Sequence, residues 1–381
     1  MLIKNGNIYN SQKACFETKN IKINDGIIVG FDMSDDEGKV IDAKEAYVIP
    51  ALIDVHTHGR AGFDFISASD TALHLMAKSY AKAGVLSVMP SIASASFEEM
   101  LAAVDRINRF IPEEDEADFI GVHIEGRYLN PAKKGAHNEE LLKPLLAEEL
   151  ECKEFFECRS LHISAALELD DGSFAKKAKE IGATVGLAHT NATYIEAKRA
   201  EELGIVSYTH LYNCMPTLHH RDGGAVCAAL LGKAYTELIC DGIHISPEMI
   251  RLAHKCKGTE KITLVSDSME ATGCSDGDYM IAGNKVIVKD GVARTESGAL
   301  AGSTLSLFDA VKNLADFCSL DFAEALPCAT INPARQIGVQ DRYGSIDIGK
   351  SADLIMINDI ESPEISGMMI RGKALYGGFD E

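Results

Sequence analysis

The sequence predicts an α/β protein: a (β/α)8 TIM-like barrel with a small β-domain built from both chain ends. Three observations carry this. Eight short apolar runs recur between residues 47 and 265. Helical periodicity separates most of them, and both chain ends carry turn-punctuated β-like pieces instead. Near-continuous apolar strands alternating with helices indicate a parallel sheet covered on both faces. Eight such units suggest closure into a barrel. An open doubly wound sheet fits less well, because no G-x-G-x-x-G follows the first strands.

In chain order, residues 1–49 hold Leu2-Ile3, Ile21-Lys22-Ile23 and Ile27-Ile28-Val29. Turn signals at Asn5-Gly6, Asp25-Gly26 and Asp35-Asp36-Glu37-Gly38 separate them. The barrel runs are Tyr47–Val55, Val85–Met89, Phe119–His123, Leu161–Ala166, Thr184–Ala188, Ile205–Tyr208, Leu238–Cys240 and Ile262–Val265. The stretch Asp70–Lys82 places Leu73, Met76, Ala77 and Tyr80 on one helical face, with Gly84 as a stop. Tyr194–Leu203 repeats the pattern and ends at Gly204. The C-terminus returns to β-like pieces at Asp353–Ile357 and Met369-Ile370. The expected division is residues 1–49 plus 344–381 for the β-domain and 50–343 for the barrel.

Composition excludes several classes. The apolar share of 46% and charged share of 25% suit a folded globular chain and argue against disorder. With 37 basic against 57 acidic residues the net charge is −20, so a nucleic-acid-binding face is not expected. No apolar run approaches the roughly 18 residues of a membrane-spanning helix, so no membrane partner is expected. The N-terminal MLIKNGNIYN lacks the basic start and apolar core of a signal peptide. Ten scattered cysteines without a C-x-x-C pair read as reduced thiols, and a cytoplasmic location is expected. An anionic substrate would need a local cationic pocket against this charge.

Metal-ligand residue types follow the apolar runs. His56 and His58 follow Ile53-Asp54-Val55, Glu125 follows Val122-His123-Ile124, and His189, His210 and Asp267 follow three later runs. In a barrel these strand ends converge on one face, where active sites form. Four histidines and two carboxylates there can hold one or two divalent ions, and zinc, iron, cobalt or manganese would suit them. His56 and His58 are two apart and so share one face of a strand. An isolated histidine such as His162 or His254 reads as a packed residue. His123-Ile124-Glu125 matches the H-x-E of zinc nucleobase deaminases, but Pro327-Cys328 has no second cysteine to complete that site. The strand-end lysine that bridges two metals in some barrel hydrolases is missing from Leu161–Ala166, so Glu125 would serve instead, as a bridging or single-site carboxylate.

Longer stretches are distinctive. They are Pro50–Gly59, His123–Gly126 with Asn130-Pro131 and Lys133–His137, Ala188–Ala192, Thr209–Met215, Asp241–His244, Ser266–Met269 with Gly273, Gly298–Ser303, Asn332–Ala334 and Gly349–Leu354. Together they resemble the N-acetylglucosamine-6-phosphate deacetylase family of the amidohydrolase superfamily over nearly the whole chain. The resemblance implies that the terminal β-domain is a β-sandwich. It implies metal ligation by Glu125, His189 and His210; some relatives lack the H-x-H pair and use one metal, others keep it and can bind two, so His56 and His58 leave a second site open. It implies Asp267 as catalytic aspartate and His137 near the acetyl carbonyl. It places Ala136, Asn213, Cys214, Arg221, His244, Leu300, Ala301 and Gly302 at the substrate, with Arg221 reaching the neighbouring subunit's site in a homodimer. Three departures stand out. Arg127 replaces a usual proline, Cys214 a usual alanine, and His219–Gly224 the usual Arg-Glu-Pro-Gly ending.

The expected reaction is metal-dependent hydrolysis of the acetamide of N-acetyl-D-glucosamine 6-phosphate in amino-sugar catabolism. Asp267 would carry the proton and His137 would stabilise the oxyanion. The alternatives are a related acetamido sugar phosphate, a cyclic amide, or a catalytically silent metal-binding scaffold.

Overall fold

The computed structural model describes residues 1–33, 38–281 and 283–379; the Asp35-Asp36-Glu37 part of the expected turn lies outside the described residues. Eight parallel strands build the barrel: β1 (Leu52–Thr57), β2 (Val85–Ile92), β3 (Val122–Glu125), β4 (Leu161–Ala165), β5 (Thr184–Leu187), β6 (Ser207–Tyr208), β7 (Tyr235–Leu238) and β8 (Ile262–Leu264). Each pairs in parallel with the next from β1 to β8. The seam between β8 and β1 is held just beyond the strand ends. There the Asp267 N–H donates to the His56 carbonyl at 2.9 Å, and Thr57 bridges Ser268. Thr57 Oγ1 lies 2.5 Å from Tyr80 Oη and 2.6 Å from Ser268 Oγ, which in turn donates to the Gly59 carbonyl at 2.9 Å. This buried hydroxyl cluster sits between the residues that carry His56, His58 and Asp267.

Helices cover the outside, and their ends follow from local chemistry. The helix Asp70–Lys82 starts where the Ser69 side chain accepts from the Ala72 N–H, and it buries Leu73, Met76, Ala77 and Tyr80. The helix Tyr194–Leu203 opens with a reciprocal cap between Thr193 and Glu196. It stops at Gly204, whose φ of 98° is open to glycine at little cost.

Three strand expectations shift. The run Tyr47–Val55 is two strands: Tyr47–Pro50 pairs antiparallel with Leu354–Ile357, while Leu52 onward pairs with β2. Apolar spelling is continuous across Ala51, so it does not register the change of partner. The run Phe119–His123 is interrupted. Asp118–Phe119 and Val122–Glu125 each pair with β2. Between them the backbone of Gly121 passes so close to Ser160 that a Cβ would meet its carbonyl oxygen. Of the run Leu238–Cys240 only Leu238 is in a strand, which spans Tyr235–Leu238; its earlier part is hidden in the sequence because the buried Glu237 breaks the apolar pattern.

Both chain ends contribute to one mixed eight-stranded sheet that includes Leu2–Asn10, Cys15–Asn24, Tyr47–Pro50, Leu354–Ile357 and Ile365–Ile370. It folds back on itself. The Ile28 N–H donates to the Lys350 carbonyl and the Gly349 N–H to the Ile28 carbonyl. Ile3, Ile21, Ile28, Ile41, Val48, Leu354 and Met369 are enclosed between its halves. Tyr9, Ile355, Ile357 and Met368 face the other way and join the barrel core. A three-stranded hairpin sheet (Gly277–Ile281, Asn284–Lys289, Val292–Thr295) follows β8. No element is expected there from the sequence. Among the described residues no helix is long and apolar enough to cross a membrane, and all ten cysteines are free.

The seam sets a stability test. Ser268→Ala removes a hydroxyl bonded to Thr57 and Gly59 in a buried cluster. It should lower unfolding free energy by about 1–3 kcal/mol. Urea denaturation of the two proteins measures this, and an unchanged midpoint would show that the cluster does not hold the seam.

Candidate metal centre

The site forms because strand ends from around the barrel aim polar side chains into its mouth. Glu125 ends β3 and is buried at its centre. Its Oε1 lies 2.8 Å from His210 Nε2 and 3.4 Å from His189 Nε2. Its Oε2 lies 2.9 Å from His58 Nε2 and 3.2 Å from His56 Nε2. The two histidine pairs are equally tight: 3.1 Å between the Nε2 atoms of His189 and His210, and 3.3 Å between those of His56 and His58. Asp267 completes the ring, with Oδ1 at 3.5 Å from His56 Nε2 and 3.4 Å from His58 Nε2.

Three of these residues hold left-handed backbone: φ is 42° at His189, 31° at His210 and 48° at Asp267. Such conformations are costly for residues with a Cβ and cluster where function demands a particular aim. Here each turns the chain sharply at the end of its strand.

The donor set fits a divalent cation. His189 Nδ1 lies 2.8 Å from the Lys133 carbonyl oxygen, so it donates there and leaves Nε2 as a lone pair. That lone pair faces His210 Nε2 and Glu125, a cluster of acceptors that a cation between them would satisfy. A tetrahedral ion with bonds of about 2.0–2.1 Å separates its ligand atoms by roughly 3.4 Å, close to the spacings seen. Glu125–His189–His210 and His56–His58–Glu125 are two such groups, sharing one carboxylate. Burial favours the neutral acid at Glu125 and Asp267, but the surrounding histidines outweigh it and hold both carboxyls below their ordinary range.

A cavity of about 250 Å³ opens beside these groups. Glu125, His58, His189, His210 and Asp267 form its floor. Ala136, His137, Asn213, Cys214, His244, Leu300, Ala301 and Gly302 form its walls, together with Gly135, Ile281 and Ala299. Burial, then the neighbouring His189, pushes His137 down to about 3, so its ring is neutral. Its Nδ1 accepts from Ser94, which leaves the ring proton on Nε2, 3.9 Å from Glu125 Oε2. His244 is the opposite case. Burial would lower it, but Asp241, 2.7 Å from its Nδ1, outweighs that and raises it above its ordinary value. Gly135 has φ +56°, and a Cβ there would come within 2.7 Å of Cys214 Sγ and 3.1 Å of the His189 ring. The Lys133–His137 loop can therefore close over His189 only with glycine at that position.

Arg221 does not line this cavity; it lies in the exposed turn His219–Asp222, 2.8 Å from His220 Nε2. Arg127 makes a two-pronged pair with Glu149 at 2.8 and 2.6 Å and sits over the Phe97 ring. His123 lies deeper in the barrel between Ser91 and Ser164, and His162 bonds Thr184. The sequence singles out neither Ser94 nor Glu237. A small hydroxyl and a lone carboxylate inside an apolar run carry no spacing signal.

Because Glu125 belongs to both groups, its loss should cost more metal than the loss of either histidine pair. Metal analysis after reloading should find little bound ion in Glu125→Ala, whereas His189→Ala should keep ion at His56–His58. Equal retention in both variants would contradict a shared carboxylate.

Comparisons with known proteins give the family. The profile described as the amidohydrolase family matches residues 47–375. An N-acetylglucosamine-6-phosphate deacetylase of Vibrio furnissii is 34% identical, with 85% of this chain and 82% of that protein covered. An N-acetylgalactosamine-6-phosphate deacetylase of Escherichia coli O157:H7 is also 34% identical, with 91% and 93% covered. The crystal structure of N-acetylglucosamine-6-phosphate deacetylase from Thermotoga maritima superposes with a TM-score of 0.88 at 29% identity, over 99% of this chain and 100% of that one. By sequence and by fold, the chain belongs to the amidohydrolase family.

Proposed function

We propose that the chain hydrolyses the acetamide of N-acetyl-D-glucosamine 6-phosphate, releasing acetate and D-glucosamine 6-phosphate in amino-sugar catabolism. The observation that carries this is the joint placement of Asp267, His137 and the shared Glu125 centre around one cavity. The names of the relatives support the substrate class. Glu125, His189 and His210 would hold one divalent ion, and His56 and His58 with the same Glu125 would hold a second, with zinc the first choice among N- and O-ligated metals. Such an ion supplies Lewis-acid polarisation and makes water nucleophilic near neutral pH.

The chain's own groups do the rest. Asp267, kept ionised by its histidine neighbours, takes the proton of the attacking water and delivers it to the departing amine. Neutral His137 donates from Nε2 to the oxygen of the tetrahedral intermediate. The walls formed by Ala136, Asn213, Cys214, Leu300, Ala301 and Gly302 hold the sugar. The cationic form of His244, stabilised by Asp241, faces the phosphate. With a net charge of −20 the long-range field opposes a phosphorylated ligand, so selectivity rests on such short-range groups. Arg221 adds a guanidinium from the neighbouring subunit of a cytoplasmic homodimer, which explains its absence from its own cavity.

Acetate release from N-acetylglucosamine 6-phosphate, N-acetylgalactosamine 6-phosphate and their unphosphorylated forms tests the reading. The first should be turned over fastest, and no release from any would end it. Asp267→Asn cannot cycle a proton, so kcat should fall by about 10²–10⁴-fold while substrate still binds. Near-normal turnover in that variant would remove Asp267 from the proton path. Arg221→Ala should lower kcat/KM for the phosphorylated sugar by about one to two powers of ten, the worth of a charged hydrogen bond. The unphosphorylated sugar should change little. An equal loss on both sugars would assign Arg221 to the dimer or the fold.

A further inference from the structure

One buried carboxylate has no part in the reaction just described. Glu237 lies on β7, inside the barrel and beneath the metal centre, with only 1% of its surface exposed. Its Oε1 is fully engaged: Ser207 Oγ donates to it at 3.0 Å and Gln336 Nε2 at 2.7 Å. Among the described residues its Oε2 has no hydrogen-bond partner, and neither has Nδ1 of His56. These two unpartnered atoms face each other at 3.5 Å. A buried carboxylate is costly unless it is paired, and a buried imidazole with an unpartnered nitrogen is costly too. Each is the other's natural partner.

We propose that Glu237 is a positioning residue for His56: it holds the ring proton on Nδ1 and so presents Nε2 as a lone pair to the ion shared with His58 and Glu125. The proposal rests on the metal reading above. A histidine can ligate through one nitrogen only if that nitrogen is unprotonated, and an outer carboxylate that accepts from the other nitrogen enforces this. His189 obtains the same result from the Lys133 carbonyl. His56 lies too deep for a loop carbonyl, and Glu237 reaches it through the barrel interior. His162 Nε2 also approaches Glu237, but on the Oε1 side and at 3.8 Å, which leaves Oε2 to His56.

Glu237→Gln tests this with almost no change in size. The amide oxygen can keep the bonds from Ser207 and Gln336. The amide N–H₂ then points a donor at Nδ1, which favours the proton on Nε2, the wrong nitrogen for ligation. The metal-stripped enzyme is reloaded with Zn²⁺ under a competing chelator, and bound metal per chain is measured. Wild type should take two ions. Glu237→Gln should keep one of them at wild-type affinity and bind the other about 10–100-fold more weakly. The same ion should be lost in His56→Gln, and adding Glu237→Gln to that variant should cost nothing more. The thermal midpoint of the stripped protein checks folding, and Glu237→Asp, which withdraws the carboxylate by one methylene, is read in the same titration should the amide variant not fold. Two ions of unchanged affinity in the variant would overturn the proposal and leave the metal reading standing. Equal weakening of both ions would reduce Glu237 to a structural residue. A wild-type chain that takes up one ion or none would overturn the proposal, and none would overturn the metal reading with it.

Discussion

The structure turns on one carboxylate. Glu125 is buried at the end of β3, with a histidine pair on each of its two oxygens. An isolated carboxylate in that place would protonate or be driven out, because burial disfavours its charge. It stays ionised because positive charge from the surrounding histidines outweighs the cost of burial. That constraint makes the rest of the site interdependent. The four imidazoles need a negative centre to converge on, and Glu125 needs them. Asp267 is drawn into the same field from the opposite side of the barrel seam.

Such a cluster can be kept only on a stiff frame. Its members come from β1, β3 and the ends of β5, β6 and β8, and the frame must hold them against their mutual repulsion and desolvation. The barrel supplies this through parallel pairing from β1 to β8 and through the Thr57–Ser268–Tyr80 hydroxyl cluster at the seam. Left-handed backbone at His189, His210 and Asp267 is strain that the surrounding packing sustains. The interior beneath the site is itself polar. Glu237, His123, His162, Ser164, Ser207 and Gln336 form hydrogen-bonded contacts where a barrel core is ordinarily packed with branched apolar side chains. The lower layer therefore orients the upper one electrostatically as well as sterically.

The walls of the cavity come from segments outside the strands. The Lys133–His137 loop closes over His189 because Gly135 lets it approach, and the hairpin sheet after β8 ties to that loop where Asn284 Nδ2 donates to the Ala136 carbonyl at 2.7 Å. Arg127, which stands where the family resemblance expects proline, is used to brace the loop after β3 against Glu149 and Phe97. Its φ of 51° is one that a proline ring forbids, so here the turn is held by the ion pair and not by a fixed ring.

Much of this was legible in the sequence. Apolar runs alternating with helical periods gave the barrel, and local caps set both expected helices, Asp70–Lys82 and Tyr194–Leu203, to the residue. The H-x-H spacing and the ligand types at strand ends marked His56, His58, Glu125, His189, His210 and Asp267, because strand periodicity is itself a local property. Other features depended on tertiary structure. The split of Tyr47–Val55 between two sheets depends on which strand each half meets. Glu237 was hidden because a single polar residue in a strand says nothing of what lies across the barrel. That Glu125 could bridge is legible from the missing strand-end lysine, but the histidine pair that each of its oxygens meets is not. Local sequence sets which face of a strand a side chain occupies, but the distance between atoms on strands far apart in the chain is set only when the barrel closes.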